Sequence, residues 1–187
     1  VLFAQAVFHE GVFLMKSDSV KKLSIAGLLC ALAVAGSLFF TFPVLGSRCA
    51  PVQHMVNILC AVFLGPWYGL AAAFIASLLR NLLGWGSILA FPGSMCGAFL
   101  CGLVYWKTRN PALTLIAEVI GTGIVGGLAA YPLAIAFLGQ SAADIAFTAY
   151  VVPFLISTVA GSILAGILLF ALQKNGSLKA MQSALER

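Results

Sequence analysis

The sequence predicts an all-α integral membrane protein, a bundle of six transmembrane helices. Three observations predict it. The chain is 62% hydrophobic with a mean hydropathy of +1.09, more apolar surface than one soluble core can hide. Its ten basic and five acidic residues fall almost entirely between long apolar blocks. The basic residues also gather in alternate gaps, the bias that cytoplasmic loops carry.

The blocks are taken in chain order. Residues 1–14 precede Met15, which opens MKSDSVKK. They have no basic run ahead of their apolar residues, unlike a signal peptide. They are read as an extension upstream of a start site and set aside from the fold, with a short interfacial segment as the alternative. Residues 15–187 then form a single membrane domain. The first span covers about 23–44 and closes at Pro43. GSRCAPVQH at 46–54 is a polar loop. The block at 55–65 is short, since about 20 residues cross a bilayer, and it needs tilted neighbours or flanking residues to do so. Gly65-Pro66 ends it, and a third segment covers 67–84. The fourth covers 88–106 and the turn KTRNP follows. The fifth runs over 112–138 and the sixth over 149–173.

Six spans bring both termini to one side. Lys16, Lys21 and Lys22, then Lys107 and Arg109, then Lys174, Lys179 and Arg187 all fall on that side, which is expected to be cytoplasmic. Arg48 and Asp144 fall on the other, with Arg80 near it. The net charge of +5 flanks spans and forms no stripe, so it points to anionic headgroups of the lipid bilayer and not to nucleic acid.

Several functions are excluded. There is no Walker A or dinucleotide fingerprint, so any energy from ATP must come from a partner. Four of the five cysteines lie inside apolar blocks, and Cys96 and Cys101 are not at zinc-ligand spacing. No metal or other cofactor is expected. No HExxH motif, paired carboxylates or serine–histidine–acid set is present, so the chain is not read as an enzyme.

The candidates for function are polar or aromatic residues within or beside the spans. Arg80 lies thirteen residues beyond Trp67, about 21 Å further along a helix. There it either snorkels to the interface or lines an outer pocket, and at least one of Arg80 and Asn81 faces the bundle. Glu118 is the one acidic residue within a confident span, so it must be paired, protonated or wetted. It lies about 10 Å in depth from Arg80, which makes that pair a poor one. It is either a structural hydrogen-bonding group or the polar floor of a cavity, and Thr122 shares its face. Tyr131 precedes Pro132, which bends the fifth span. Trp85, Phe91, Tyr150 and Phe154 bring aromatic faces to the same outer region, as interface anchors or as walls for a flat heteroaromatic guest. His54 and Gln53 end the first outer loop, and Asn57 joins His54 on one face if a helix starts at Pro51. With Arg48 they make a polar lid. Gly27, Ala31 and Ala35 form a small-residue ridge on span one, suited to close helix packing within the chain or against a second membrane protein.

GSRCAPVQHMVNILCAVFLGPWYG at 46–69, SLLRNLLGWGSILAFPGSMCGA at 77–98 and EVIGTGIVGGLAAYP at 118–132 cover three of the six spans with their loops. In these strings the chain resembles the ThiW-type substrate-binding S components of energy-coupling factor (ECF) vitamin transporters. The resemblance implies a vitamin or precursor bound at the outer side, hydroxyethylthiazole for the ThiW type. It implies docking through the Gly27, Ala31 and Ala35 ridge onto a transmembrane T component that carries two ATPases. His54, Asn57, Arg80, Asn81, Trp85, Phe91, Glu118, Thr122, Tyr131, Tyr150 and Phe154 are the expected substrate-binding residues. Thiamine, its pyrimidine precursor or another vitamin are the alternative ligands. A structural membrane subunit without ligand is the alternative function.

Overall fold

The computed structural model describes residues 2–185, with side chains from Ser19 onward. In order, these residues form α1 (Leu2–Phe39), β1 (Phe42–Val44), β2 (Ser47–Cys49), α2 (Pro51–Phe63), α3 (Pro66–Leu82) and α4 (Ala90–Thr108). Then come α5 (Pro111–Leu138), α6 (Val151–Lys174) and α7 (Ser177–Leu185). The protein is an all-α membrane protein apart from one small hairpin. Among the described residues, three segments are long and apolar enough to cross a bilayer: Ser19–Phe39, Pro111–Leu138 and Val151–Lys174. The side chains of residues 1–14, expected to stand apart from the fold, lie outside the described residues.

The first span ends earlier than expected, at Phe39, and Pro43 lies in β1 and not at a helix end. The expected polar loop at 46–54 is two structures. Phe42–Val44 and Ser47–Cys49 pair antiparallel, with Val44 opposite Ser47. Leu45 and Gly46 at the tip have φ of 47° and 76°, the pair of positive values that a two-residue type I′ hairpin turn requires. The remainder, from Pro51, is the first turn of α2.

α2 has 13 residues, about 20 Å, and so is shorter than the hydrocarbon core. Eleven of its residues are buried, because α1, α3, α4, α5 and α6 all pack around it. A helix enclosed by other helices need not match the lipid thickness. Its early N-terminus leaves space above Pro51, and the hairpin roofs that space. Proline opens α2, α3 and α5, at Pro51, Pro66 and Pro111, where its missing N–H costs no helical hydrogen bond. The expected KTRNP turn is completed by Asn110, whose Oδ1 accepts from the amides of Ala112 and Leu113.

α5 departs from the expected bent helix. The irregularity is not centred on Pro132, which sits inside a regular stretch from Gly127 to Leu138. It is a π-helical segment, Val119–Gly126. Its glycines let backbones meet: a Cβ on Gly121 would lie 2.9 Å from the Cys96 carbonyl oxygen, and one on Gly123 3.3 Å from Leu155 Cα. α4 and α6 therefore press directly on the widened turn that carries Thr122. At the opposite end of the bundle from the hairpin, Lys22, Arg109 and Lys179 gather around Tyr105 and α7.

Gly121→Val should lower stability by about 1–3 kcal/mol through overpacking, read as a lower unfolding temperature in detergent. An unchanged unfolding temperature would mean that α4 and α5 stand further apart.

Candidate functional site

A polar network crosses the middle of this apolar bundle. Glu118, on α5, is fully buried. Its Oε1 lies 3.1 Å from Nδ1 of His54 and accepts from Asn57 Nδ2 at 3.0 Å. Thr122 Oγ1 lies 3.0 Å from the same oxygen and 3.1 Å from the Gly93 carbonyl, and its single proton serves one of them at a time. Gln53 Nε2 donates to Asn57 Oδ1 at 3.3 Å and to Ser94 Oγ at 3.0 Å. Asn57 Nδ2 also reaches the Ser94 carbonyl, at 3.2 Å. Spacing of three and four residues puts Gln53, His54 and Asn57 on one face of α2, and Glu118 and Thr122 on one face of α5. The network thus ties α2, α4 and α5 together.

Directly above it lies a cavity of about 320 Å³. This is the lower end of the range for small-ligand sites, about 300–1,000 Å³. Gln53, His54, Ser94 and Thr122 form its polar floor, and Tyr150, Phe154, Leu89 and Leu138 its apolar walls. Gly46, Ser47 and Arg48 of the hairpin, with Gly86 and Ser87 of the α3–α4 loop, lie at its mouth. Arg80 also lines it and is only 3% exposed. The roof is tied down on two sides. Cys49 Sγ donates to the Pro153 carbonyl and the Ala50 amide to Ser157 Oγ, while Arg48 Nη1 donates to the Trp85 carbonyl at 3.1 Å. Burial pushes the Cys49 thiol above its ordinary range, a shift that its hydrogen bond with Ser157 opposes, so it stays a donor at neutral pH.

Of the residues singled out in the sequence, His54, Arg80, Thr122, Tyr150 and Phe154 line the cavity. Asn57 and Glu118 lie just beneath, holding the floor. Four others lie off its wall. Asn81 Nδ2 bonds the Ser77 and Ser87 carbonyls, so it positions the loop that carries Ser87. Trp85 contributes its carbonyl to Arg48. Phe91 packs on Phe74, with ring centroids 5.6 Å apart, and Tyr131 packs edge-on against Phe147 at 5.1 Å. Ser94 and Ser157 were not singled out. Both stand on helices crowded with small residues, where a serine reads as one more packing residue. Gly27, Ala31 and Ala35 are all exposed, on the side of α1 away from the buried Ala26, Cys30 and Ala33.

A helical membrane protein with a half-polar cavity under a hairpin roof suits a small-molecule transport protein, and the comparisons with known proteins specify which. Residues 23–175 match the family of thiamine-precursor transporter proteins, ThiW, and the chain belongs to that family. Thiamine precursor transporter HmpT of Lactococcus lactis subsp. cremoris is 33% identical over 123 residues, which cover 62% of this chain and 72% of the relative. UPF0397 proteins of two Streptococcus thermophilus strains are 28% identical over 74 residues, 40% of this chain and 41% of theirs. The family and its named relative are transporters and not enzymes.

Glu118→Leu removes the acceptor that His54, Asn57 and Thr122 share and should cost about 3–5 kcal/mol. Glu118→Gln, which keeps one acceptor oxygen, should cost less. Thermal unfolding in detergent measures both; a Glu118→Leu protein as stable as the parent would mean that the network does not hold the bundle.

Proposed function

We propose that this chain is the substrate-binding S component of an ECF-type importer. In this reading it takes a single-ring thiamine precursor, hydroxyethylthiazole first, into the cavity beneath the hairpin. The observation that carries the reading is the pairing of an aromatic wall, Tyr150 and Phe154, with a hydrogen-bonding floor, His54, Thr122, Gln53 and Ser94, in one small enclosed space. A heteroaromatic alcohol needs a slot for its ring and one or two partners for its hydroxyl and ring nitrogen. Thiamine itself carries a fixed cation, and the cavity wall offers two arginines and no carboxylate, which counts against it. The pyrimidine precursor is the second reading. Gln53 Oε1 is buried without a partner, and an exocyclic amino group would supply the missing donor.

The protein crosses the membrane six times in this reading, with the cavity outward and both termini cytoplasmic. The cluster of Lys22, Arg109 and Lys179 at the end away from the cavity supports that orientation. Ligand closes the hairpin over the cavity. The filled subunit is then moved by a T component and two ATPases, since the chain has no nucleotide motif of its own. Gly27, Ala31 and Ala35 support a docking role because no other described residue covers them and small residues allow a partner helix to approach closely.

Titration of hydroxyethylthiazole into the purified chain, with thiamine and the pyrimidine as comparators, tests the substrate. Selective binding of the thiazole is the expected result, and silence toward all three in folded protein would refute the reading. Phe154→Ala should weaken binding about 10–100-fold by removing a wall. Ala31→Trp and Ala35→Trp should leave binding intact and abolish ATP-driven uptake. Loss of binding in those two variants would mean that the ridge packs within the chain.

A further inference from the structure

The cavity has a charge imbalance that a neutral alcohol leaves unanswered. Arg48 and Arg80 both line it, and no Asp or Glu does. Glu118 lies beneath the floor, its Oε1 shared by His54, Asn57 and Thr122 and its Oε2 buried without a hydrogen-bond partner. Among the described residues, no carboxylate lies within salt-bridge distance of either arginine. Arg48 has one hydrogen bond, to the Trp85 carbonyl. Arg80 is 97% buried by its 3% exposure, and its Nε has no hydrogen-bond partner. A guanidinium held in a low-dielectric cleft without a counter-charge is costly, and a ligand that supplies the charge removes that cost.

The backbone adds to the same polarity. The N-terminal ends of α2, α4 and α6 reach the cavity through Ala50, through Leu89 and Ala90, and through Tyr150. Each brings the positive end of a helix dipole. The C-terminal ends of α3 and α5 also reach it, and two of their carbonyls are engaged: Arg80 O accepts from the amides of Trp85 and Gly86, and Ala134 O from that of Gln140.

We propose that the preferred guest is an anionic derivative of the heteroaromatic alcohol, a phosphate monoester or a carboxylate, whose charged oxygens meet Arg80 and Arg48 while the ring lies against Tyr150 and Phe154. Arginine matches both groups with paired N–H donors. The phosphate monoester fits better, because its three oxygens and near-double negative charge answer two guanidinium groups at once. This inference rests on the cavity being the precursor site.

The test is calorimetric titration of the full chain in detergent with three probes: hydroxyethylthiazole, its phosphate monoester, and the carboxylic acid made by oxidising its alcohol. At least one anion should bind about tenfold or more tightly than the alcohol, with the advantage falling as salt rises. Which anion wins identifies the group. Arg80→Gln should bring the anion-to-alcohol ratio near one, and Arg80→Lys should retain part of it. Should Arg80→Gln not fold, Arg48→Gln gives a second reading, again with a reduced ratio. An alcohol that binds as well as both anions, or an anion preference that survives in folded Arg80→Gln, overturns the inference and leaves the proposed function standing. Failure of all three probes to bind folded protein overturns both.

Discussion

One oxygen atom organises this structure. Glu118 carries a carboxyl group into the middle of an apolar bundle, where it is fully buried. Its Oε1 must therefore be met by donors from other helices, and α2 supplies two of them, from His54 and Asn57. This requirement draws α2 to the centre and fixes its rotation. It also explains Gly97 on α4: a Cβ there would lie 2.7 Å from both carboxylate oxygens, so the helix that covers the acid has no side chain at that point. Ser94, one turn earlier, then completes the ring of hydrogen bonds through Gln53 and Asn57.

The cavity follows from that arrangement. With α2 central and beginning only at Pro51, the space above its first turn is empty of helix, and the hairpin closes it. The floor is rigid, since every floor residue is also part of a cross-helix network. The roof is held by a few contacts, from Cys49 and Ala50 to α6 and from Arg48 to the α3–α4 loop. A fixed floor and a lightly held roof suit a site that must both select a small guest and admit it. In the proposed function the same division separates selection from coupling: the cavity lies at one end of the bundle, and the exposed small-residue ridge runs along α1 outside it.

Much of this was legible in the sequence, and the rest was hidden for physical reasons. The apolar blocks, the KTRNP turn and the shared face of Glu118 and Thr122 could be read directly. So could the shared face of His54 and Asn57, once a helix was allowed to begin at Pro51. The direction of side chains around each helix could not. Lipid and protein core are equally apolar, so the periodicity that marks the buried face of a soluble helix carries little signal here. That is why Phe91 and Tyr131, placed at the right depth, turn toward Phe74 and Phe147 and not into the cavity. Arg80 is the opposite case: snorkelling and pocket-lining were both open until the fold turned it inward. The π-helical stretch was masked by Pro132, the stronger local signal, although the four glycines from Gly121 to Gly127 already marked a segment built for close backbone contact. The hairpin was hidden because its tip, Leu45-Gly46, lacks the Asn-Gly or Asp-Gly pair that usually announces a type I′ turn.

The central claim is that the space between the Glu118 network and the hairpin is where the transported molecule binds. Hydrogen–deuterium exchange of the detergent-solubilised chain, with and without hydroxyethylthiazole, tests it most directly. The account predicts slowed exchange concentrated in residues 46–54, 86–94, 138–140 and 150–157, segments that line the cavity. Protection centred instead on residues 61–68, 103–109 and 178–185, at the basic end of the bundle, would contradict it.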